Sequence, residues 1–128
     1  MSLKHGRHNE ELFLALFEEG VYRDWVITVA FYTAIHYVEE RLFPTRFYNA
    51  EVHSLEEAHE RIPVNRRFSR HTTRGQLVQS RLPKSYQSYD KLRKQSQNAR
   101  YVDYQISDQL YKKSKEWLTN IKNVCEIE

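Results

Sequence analysis

The amino-acid sequence predicts an all-α protein, a bundle of four to five up-and-down helices, on three observations. Three glycines and three prolines in 128 residues are too few turn residues for a many-stranded sandwich or barrel. The twenty residues from Asp24 to Phe43 contain neither glycine nor proline and are apolar on almost every side from Trp25 to Val38, which is typical of a helix buried by its neighbours. Amphipathic segments with capping residues lie on both sides of this stretch. We therefore predict one domain over residues 1–128, organised around a central buried helix.

The first part of the chain predicts a short helix followed by the central one. Asn9 can cap a first helix that runs to about Glu19, whereas the polar, His-rich residues 1–7 are expected to be disordered. Asp24 is expected to cap the central helix, where its carboxylate meets the positive end of the helix dipole. Pro44 should end that helix, because the residue before a proline avoids the α region.

The third helix is predicted from its start and stop signals. Ser54 and Glu57 have the spacing of a capping box, so a helix should begin there and end before Pro63. Residues 45–52, which precede it, are expected to form a loop. The apolar pattern then weakens, and NRRFSRHTTRG, which closes at Gly75, is predicted to be a basic, extended loop followed by one turn of helix.

Two further helices are predicted in the last part of the chain. Pro83 suits the first turn of a fourth helix, which should cover about Lys84 to Ala99. Ser107 is expected to cap the last helix, after a short extended link. The apolar side of that helix comprises Leu110, Trp117, Leu118, Ile121 and Val124.

The net charge of +3 conceals a strong asymmetry along the chain. Residues 1–60 hold five Lys or Arg and eleven Asp or Glu, a net charge of −6. Residues 61–100 hold eleven basic residues and one acid, Asp90, a net charge of +10, and residues 101–128 carry −1. The basic middle either binds an anionic partner or is neutralised by the acidic ends of the chain, and the pattern alone fits both.

Composition argues against several other classes of protein. The longest apolar run contains Thr, His and Tyr and is flanked by charges, so we expect no membrane span. The single cysteine, Cys125, excludes an internal disulfide and a thiolate zinc cluster and favours a reducing, cytoplasmic location. Because no Walker loop, GxGxxG motif or zinc signature occurs, we expect neither a cofactor nor a metal.

Three segments of the chain carry sequence motifs similar to those that occur together in a known family. They are AFYTAIHYVEERL in the central helix, the stretch with His53, His59 and Arg61, and YQSYDKLRKQSQNARYVDY before the last helix. Together they resemble the HEPN superfamily, the higher eukaryotes and prokaryotes nucleotide-binding domains. The resemblance implies a HEPN-like bundle that forms a homodimer and gathers polar residues in a cleft between helices. It also implies one of three activities: nucleotide binding beside a nucleotidyltransferase, metal-independent RNA cleavage, or RNA binding without catalysis.

The predicted fourth helix carries the main candidates for ligand binding. Tyr86, Arg93 and Arg100 are seven residues apart, so they project from nearly the same face of a helix. Guanidinium groups two turns apart, with hydroxyls and aromatic rings between them, are suited to hold two phosphates and stack a base. A solvated helix face, whose long side chains cover apolar surface, fits the same pattern. The residues predicted to bind nucleotide or RNA are Arg61, Arg66, Arg67, Arg93, Ser96, Arg100 and Tyr101.

The ribonuclease activity that the resemblance implies depends on an Arg and a His that are separated by four to six intervening residues. The histidine performs acid–base chemistry on the 2′-hydroxyl and the arginine steadies the phosphate. No histidine follows Arg100, so the expected position late in the helix is empty. Arg66 and His71 have the spacing on a predicted loop, and so do Arg46 and His53. Twelve arginines and six histidines also produce such spacings by chance. The assignment of catalytic residues is therefore left undecided. The candidates are His71, Arg66, His59 and Arg61.

Tyr32 and His36 are the polar residues predicted to be buried in the central helix. His36 lies one turn after Tyr32 and one turn before Glu40, a spacing that suits a tuned acid–base group or a pair of metal ligands. A buried imidazole that is hydrogen-bonded to a tyrosine or a carboxylate is the commoner arrangement and requires no function.

Three functions are compatible with these patterns. The preferred one is binding of nucleotide or RNA phosphates in a basic cleft, without catalysis. The first alternative is a metal-independent ribonuclease that uses His71 or His59 with a nearby arginine. The second alternative is a protein-interaction module whose basic third docks on an acidic partner, a nucleotidyltransferase as the resemblance implies.

Overall fold

The computed structural model describes residues 3–126, which form a predominantly α-helical bundle. The elements are α1 (Leu3–Glu19), α2 (Arg23–Leu42), β1 (Thr45–Phe47), β2 (Ala50–Val52), α3 (Leu55–Arg61), a 3₁₀ turn (Val64–Arg66), α4 (Arg70–Arg81), α5 (Pro83–Tyr101) and α6 (Asp108–Glu126). The prediction of an all-α bundle is confirmed, and the described part of the chain has six α-helices instead of four to five. No helix within residues 3–126 has the length and apolar content needed to cross a membrane.

The central helix α2 is buried on most of its surface by α1, α5 and α6. Its fully enclosed side chains include Val26, Ile27, Ala30, Phe31, Ala34, Tyr37 and Val38. Two aromatic residues differ from the prediction, since Trp25 is 56% and Tyr32 is 41% exposed. They are seven residues apart and therefore lie on the same side of the helix, where both rings are left partly exposed. The prediction that Tyr32 is buried is thus wrong, whereas His36 is buried as predicted.

The N-terminal segment forms a helix earlier than its composition predicts. α1 begins at Leu3 instead of Asn9, so the prediction of disorder is wrong for residues 3–7, and residues 1 and 2 lie outside the described part. This segment packs closely on α2, since a Cβ added at Gly6 would lie 3.2 Å from Cε1 of Tyr37. At the other end Gly20 adopts a φ of 71° and donates its N–H to the Leu16 carbonyl, ending α1 as predicted.

The starts of the remaining helices agree in part with their capping signals. Ser54 Oγ accepts the N–H of Glu57 at 3.2 Å, and Ser107 Oγ accepts the N–H of Leu110 at 3.1 Å. Pro83 occupies the first turn of α5, as expected from its fixed φ. The cap predicted at Asp24 is wrong, because α2 begins one residue earlier and Asp24 lies within its first turn.

Two local elements were missed by the sequence analysis. Residues 45–52, predicted to be a loop, form an antiparallel hairpin in which Arg46 faces Glu51. The basic segment predicted to be a loop up to Gly75 instead contains α4, in whose first turn the N–H of Thr72 donates to Ser69 Oγ. The inward stripe of α4 comprises Thr73, Arg74, Leu77 and Val78. Half of this stripe is polar, so the sequence shows little helical periodicity.

Candidate functional site

A pocket of about 380 Å³ lies where α4 begins and α5 ends. α4 and α5 are consecutive and packed together, which brings the start of one helix beside the end of the other. Arg93 and Arg100 are on the same side of α5, as their spacing predicts, and both face this pocket. The lining residues are Phe31, Ser69, His71, Arg93, Gln97, Arg100 and Tyr101. We refer to this set as the α4–α5 pocket.

Arg100 is held in position by neutral groups. Its Nη1 donates a hydrogen bond to Tyr32 Oη at 2.7 Å, and its Nε donates to the Ser96 carbonyl at 3.2 Å. The guanidinium carbon lies 5.5 Å from the centre of the Tyr32 ring and 5.1 Å from that of Tyr101. Within residues 3–126 no carboxylate forms an ion pair with Arg100. Its charge is therefore fixed at the wall of the pocket without being neutralised.

Arg93 has an incomplete counter-charge. Its Nη2 lies 3.3 Å from Asp90 Oδ1, while Lys94 Nζ lies 2.9 Å from the other oxygen of the same carboxylate. Partial burial raises the pKa of Asp90, but the hydrogen bonds from Lys94 and Arg93 outweigh this and lower it below the ordinary value. One carboxylate thus serves two cations, which leaves net positive charge beside Arg100.

His71 contributes a neutral imidazole to the same wall. Burial lowers the pKa of His71, and the charges of Arg74, Arg100 and Arg93 lower it further. Its Nδ1 lies 3.1 Å from Nη1 of Arg74, and a guanidinium is only a donor, so Nδ1 accepts and the proton lies on Nε2. His71 and Ser69 are also at the start of α4, where unpaired amides and the helix dipole favour an anion.

Arg74 and Glu39 form a buried ion pair behind the pocket that the sequence analysis did not identify. Nε of Arg74 lies 2.8 Å from Glu39 Oε2, and the two side chains are 9% and 10% exposed. Glu39 on α2 thereby orients Arg74 on α4, and Arg74 orients His71. The available signal for such a pair was a carboxylate that directly follows the apolar run of the central helix.

Several residues that the sequence predicted for the site lie outside the α4–α5 pocket. Arg61 donates to the Tyr48 carbonyl at 3.4 Å, toward the hairpin. Arg67 donates to the Ile62 carbonyl at 2.8 Å and so completes the end of α3. Arg66 is exposed in the 3₁₀ turn and does not line the pocket.

Two further candidates are buried and do not face the pocket. Ser96 is fully enclosed, and its Oγ has no hydrogen-bond partner among the described residues. His59 is 6% exposed, and its Nδ1 lies 2.8 Å from Thr73 Oγ1, which joins α3 to α4. Of the four catalytic candidates, His71 alone lines the α4–α5 pocket.

His36 is a packed imidazole with an unusual environment. Its ring packs against that of His5 on α1, with centroids 3.9 Å apart and the planes tilted by 33°. Nδ1 of His36 has no hydrogen-bond partner in the described part of the chain. Burial, together with the nearby His5, lowers the pKa of His36 to about 4. The predicted hydrogen bond to a tyrosine or carboxylate is therefore absent at Nδ1. Across residues 3–126, no cluster of three or more His, Cys, Asp or Glu side chains is arranged to hold a metal ion.

Comparison of the chain with models of protein families, with curated proteins and with solved structures gave no match. The resemblance to the HEPN superfamily therefore stays a prediction. Any functional conclusion rests on the geometry of the α4–α5 pocket.

Proposed function

We propose that this protein binds the phosphates of a nucleotide or of single-stranded RNA in the α4–α5 pocket. The observation that carries the proposal is the unneutralised guanidinium of Arg100, held at 2.7 Å by Tyr32 Oη in a concave site beside Arg93. A guanidinium fits phosphate well because its planar donors can form two parallel hydrogen bonds. A carboxylate partner would compete for these donors, and Arg100 has none within residues 3–126.

The rest of the pocket wall supports an anionic ligand. Arg93 supplies a second guanidinium, and the start of α4 adds the partial positive charge of its unpaired amides. The neutral His71 presents Nε2–H as a hydrogen-bond donor without adding a charge that would repel Arg93 and Arg100.

Exposed aromatic rings next to the pocket support a ligand that contains bases. Tyr101 lines the pocket and is 74% exposed, and Phe68, immediately before the pocket residue Ser69, is 75% exposed. Stacking of a base on an aromatic ring contributes about 1–3 kcal/mol and tolerates any sequence. Phosphate contacts combined with stacking are typical of single-strand binding.

The proposal is tested by fluorescence anisotropy with a labelled oligouridine at low salt. We expect Arg100→Gln to weaken binding about tenfold or more, since a charge-assisted contact to phosphate is lost. Lys113→Gln on α6 removes the same charge away from the pocket and should leave the affinity nearly unchanged. Wild-type affinity should fall steeply with salt because bound RNA releases counterions. Equal affinities of the two variants, or no binding by the wild type, would overturn the proposal.

A second candidate function, metal-independent RNA cleavage, is favoured by the position of His71 in the pocket beside two arginines. An imidazole and guanidinium groups are the combination that proton transfer at a phosphodiester requires. To act as a base at Nε2, His71 must first give up the contact of Nδ1 with Arg74 and carry its proton on Nδ1. Cleavage that persists in EDTA, disappears in His71→Gln and survives in His53→Gln would establish it. His53 is exposed and outside the pocket, so it is the matched control. Binding without cleavage would leave the first function alone.

A further inference from the structure

A second group of arginines surrounds the tip of the β-hairpin. Arg46, Phe47, Tyr48, Asn49 and Arg81 line an open depression of about 470 Å³, which we call the hairpin site. Arg81 at the end of α4 donates to the Arg46 carbonyl at 2.7 Å, and its guanidinium lies 5.7 Å from the centre of the Phe47 ring. Its charge is therefore held against the hairpin by a carbonyl and a ring.

The hairpin site has few negative charges of its own. Within residues 3–126, neither Arg46 nor Arg81 forms an ion pair, and Arg61, which donates to the Tyr48 carbonyl, forms none either. The nearest carboxylate by strand register is Glu51, opposite Arg46, and it lies 3.5 Å from Nε2 of His53 instead. Two guanidinium groups thus line the depression, a third reaches the hairpin from α3, and none of the three forms an ion pair within residues 3–126.

Tyr48 occupies a backbone conformation that tyrosine rarely adopts. The two turn residues, Tyr48 and Asn49, have φ values of 51° and 60°, the left-handed region that glycine and asparagine favour. The Tyr48 ring is 46% exposed and lies edge-on to Phe47 at 4.8 Å. Glycine or asparagine would form the same turn with less strain, so the fold does not require a tyrosine here. Strained residues of this kind concentrate at ligand-binding sites.

We propose that the hairpin site is a second contact for single-stranded RNA whose other end occupies the α4–α5 pocket, an inference that rests on the proposed function. His71 and Arg81 are ten residues apart on α4, about 15 Å along its axis. Nucleotides of a stacked strand lie about 3.4 Å apart, so about five are needed to reach both sites. The two sites together therefore select a polynucleotide over a free nucleotide.

The helix that joins the two sites carries no negative charge of its own. α4 contains no Asp or Glu, and its outward side chains between the sites are the uncharged Thr72, Gln76, Gln79 and Ser80. The arginines of the two sites would also attract an acidic peptide. The exposed rings at both sites, Tyr48 and Tyr101, favour a ligand with stacking bases.

The inference is tested by measuring the affinity of the full chain for oligouridines of two to twelve nucleotides. For the wild type we expect affinity to rise sharply once the length exceeds about five nucleotides, because both contacts are then made by one strand. In Arg46→Gln/Arg81→Gln this gain should disappear while affinity for the shortest oligomers is retained. The salt dependence for long RNA should also become shallower by about 1.4 in log–log slope, since each lost contact contributes about 0.7.

Two single variants keep the test independent of any damage to the hairpin. The Arg46 side chain makes no hydrogen bond or ion pair within residues 3–126, so Arg46→Gln should fold normally and lose part of the length-dependent gain. Tyr48→Asn should retain or raise the melting temperature, because asparagine fits the turn, yet weaken binding of long RNA roughly tenfold.

The possible failures are distinguishable. If short oligomers bind and depend on Arg100, but the hairpin variants bind long RNA as tightly as the wild type does, this inference is wrong and the proposed function stands. Binding of no oligonucleotide at any length would overturn both. Displacement of long RNA by oligoglutamate at equal concentration would show that charge alone is recognised and would likewise reject the hairpin site as an RNA contact.

Discussion

Nη1 of Arg74 lies 3.1 Å from Nδ1 of His71, and this contact determines the chemistry that His71 can offer. Since arginine remains protonated and only donates, Nδ1 of His71 must accept and the imidazole is neutral. Nε of Arg74 is bonded in turn to Glu39 on the central helix. The buried Glu39–Arg74 pair therefore fixes the tautomer of His71, which lies at the surface.

The state of His71 predicts a pH dependence of RNA binding. Burial and three arginines lower the pKa of His71 in the free protein, whereas a bound phosphate raises it by favouring the charged form. Protons are therefore taken up on binding, and the affinity should increase as the pH falls through the interval between the two pKa values. Anisotropy titrations from pH 7.5 to 5 should show this slope in the wild type. An identical slope in His71→Gln would contradict the assignment.

The Arg74–Glu39 pair predicts a large loss of stability when one partner is removed. Arg74→Met leaves the Glu39 carboxylate buried and unpaired, which should lower the free energy of unfolding by about 3–5 kcal/mol. Arg70→Met, one turn earlier, breaks the exposed pair with Glu56 and should have a far smaller effect. Urea titration of both variants provides the comparison. Similar losses in the two proteins would show that burial is not the cause.

Gly75 provides a direct test that residues 70–81 are helical. An added Cβ at Gly75 would meet no atom within 4 Å, so Gly75→Ala should stabilise the protein by roughly 0.5–1 kcal/mol through helix propensity. Gly6→Ala in α1 should destabilise it, because the new Cβ would lie 3.2 Å from the enclosed Tyr37 ring. Thermal denaturation measures both. A decrease in melting temperature for Gly75→Ala would mean that this segment is not the helix described.

His36 predicts a loss of stability in mild acid. Its pKa is about 4 in the folded chain and 6.5 ordinarily, so between these values the unfolded state binds a proton that the folded state does not. The free energy of unfolding should therefore fall as the pH is lowered from 6.5 to 4, by up to about 3 kcal/mol, and this contribution is fully retained above pH 6.5. In His36→Phe, which keeps an aromatic ring against His5, that part of the slope should vanish. If the free energy of unfolding varies with pH in the same way in the two proteins, His36 is not the source of the acid sensitivity.

The sequence determined the features that depend on local signals. The unbroken apolar coat predicted the buried helix α2, and Ser54, Pro83 and Ser107 predicted where three other helices begin. Such signals operate within one or two turns, so they can be read without knowledge of the neighbours. The seven-residue spacing of Arg93 and Arg100 likewise predicted that both face one side of α5.

The tertiary structure decided the features that depend on contacts between helices. α4 is stabilised by burial of Thr73 and of Arg74 with Glu39, residues thirty-five positions apart whose pairing no periodicity reveals. Tyr32 is partly exposed, and its hydroxyl accepts a hydrogen bond from Arg100 on α5, sixty-eight positions away in the sequence. His71 becomes a site residue because α4 packs on α5 and brings its first turn to the two arginines. The sequence thus determined every helix except α4, together with the charge along the chain, and packing selected which of those charges remain without a partner.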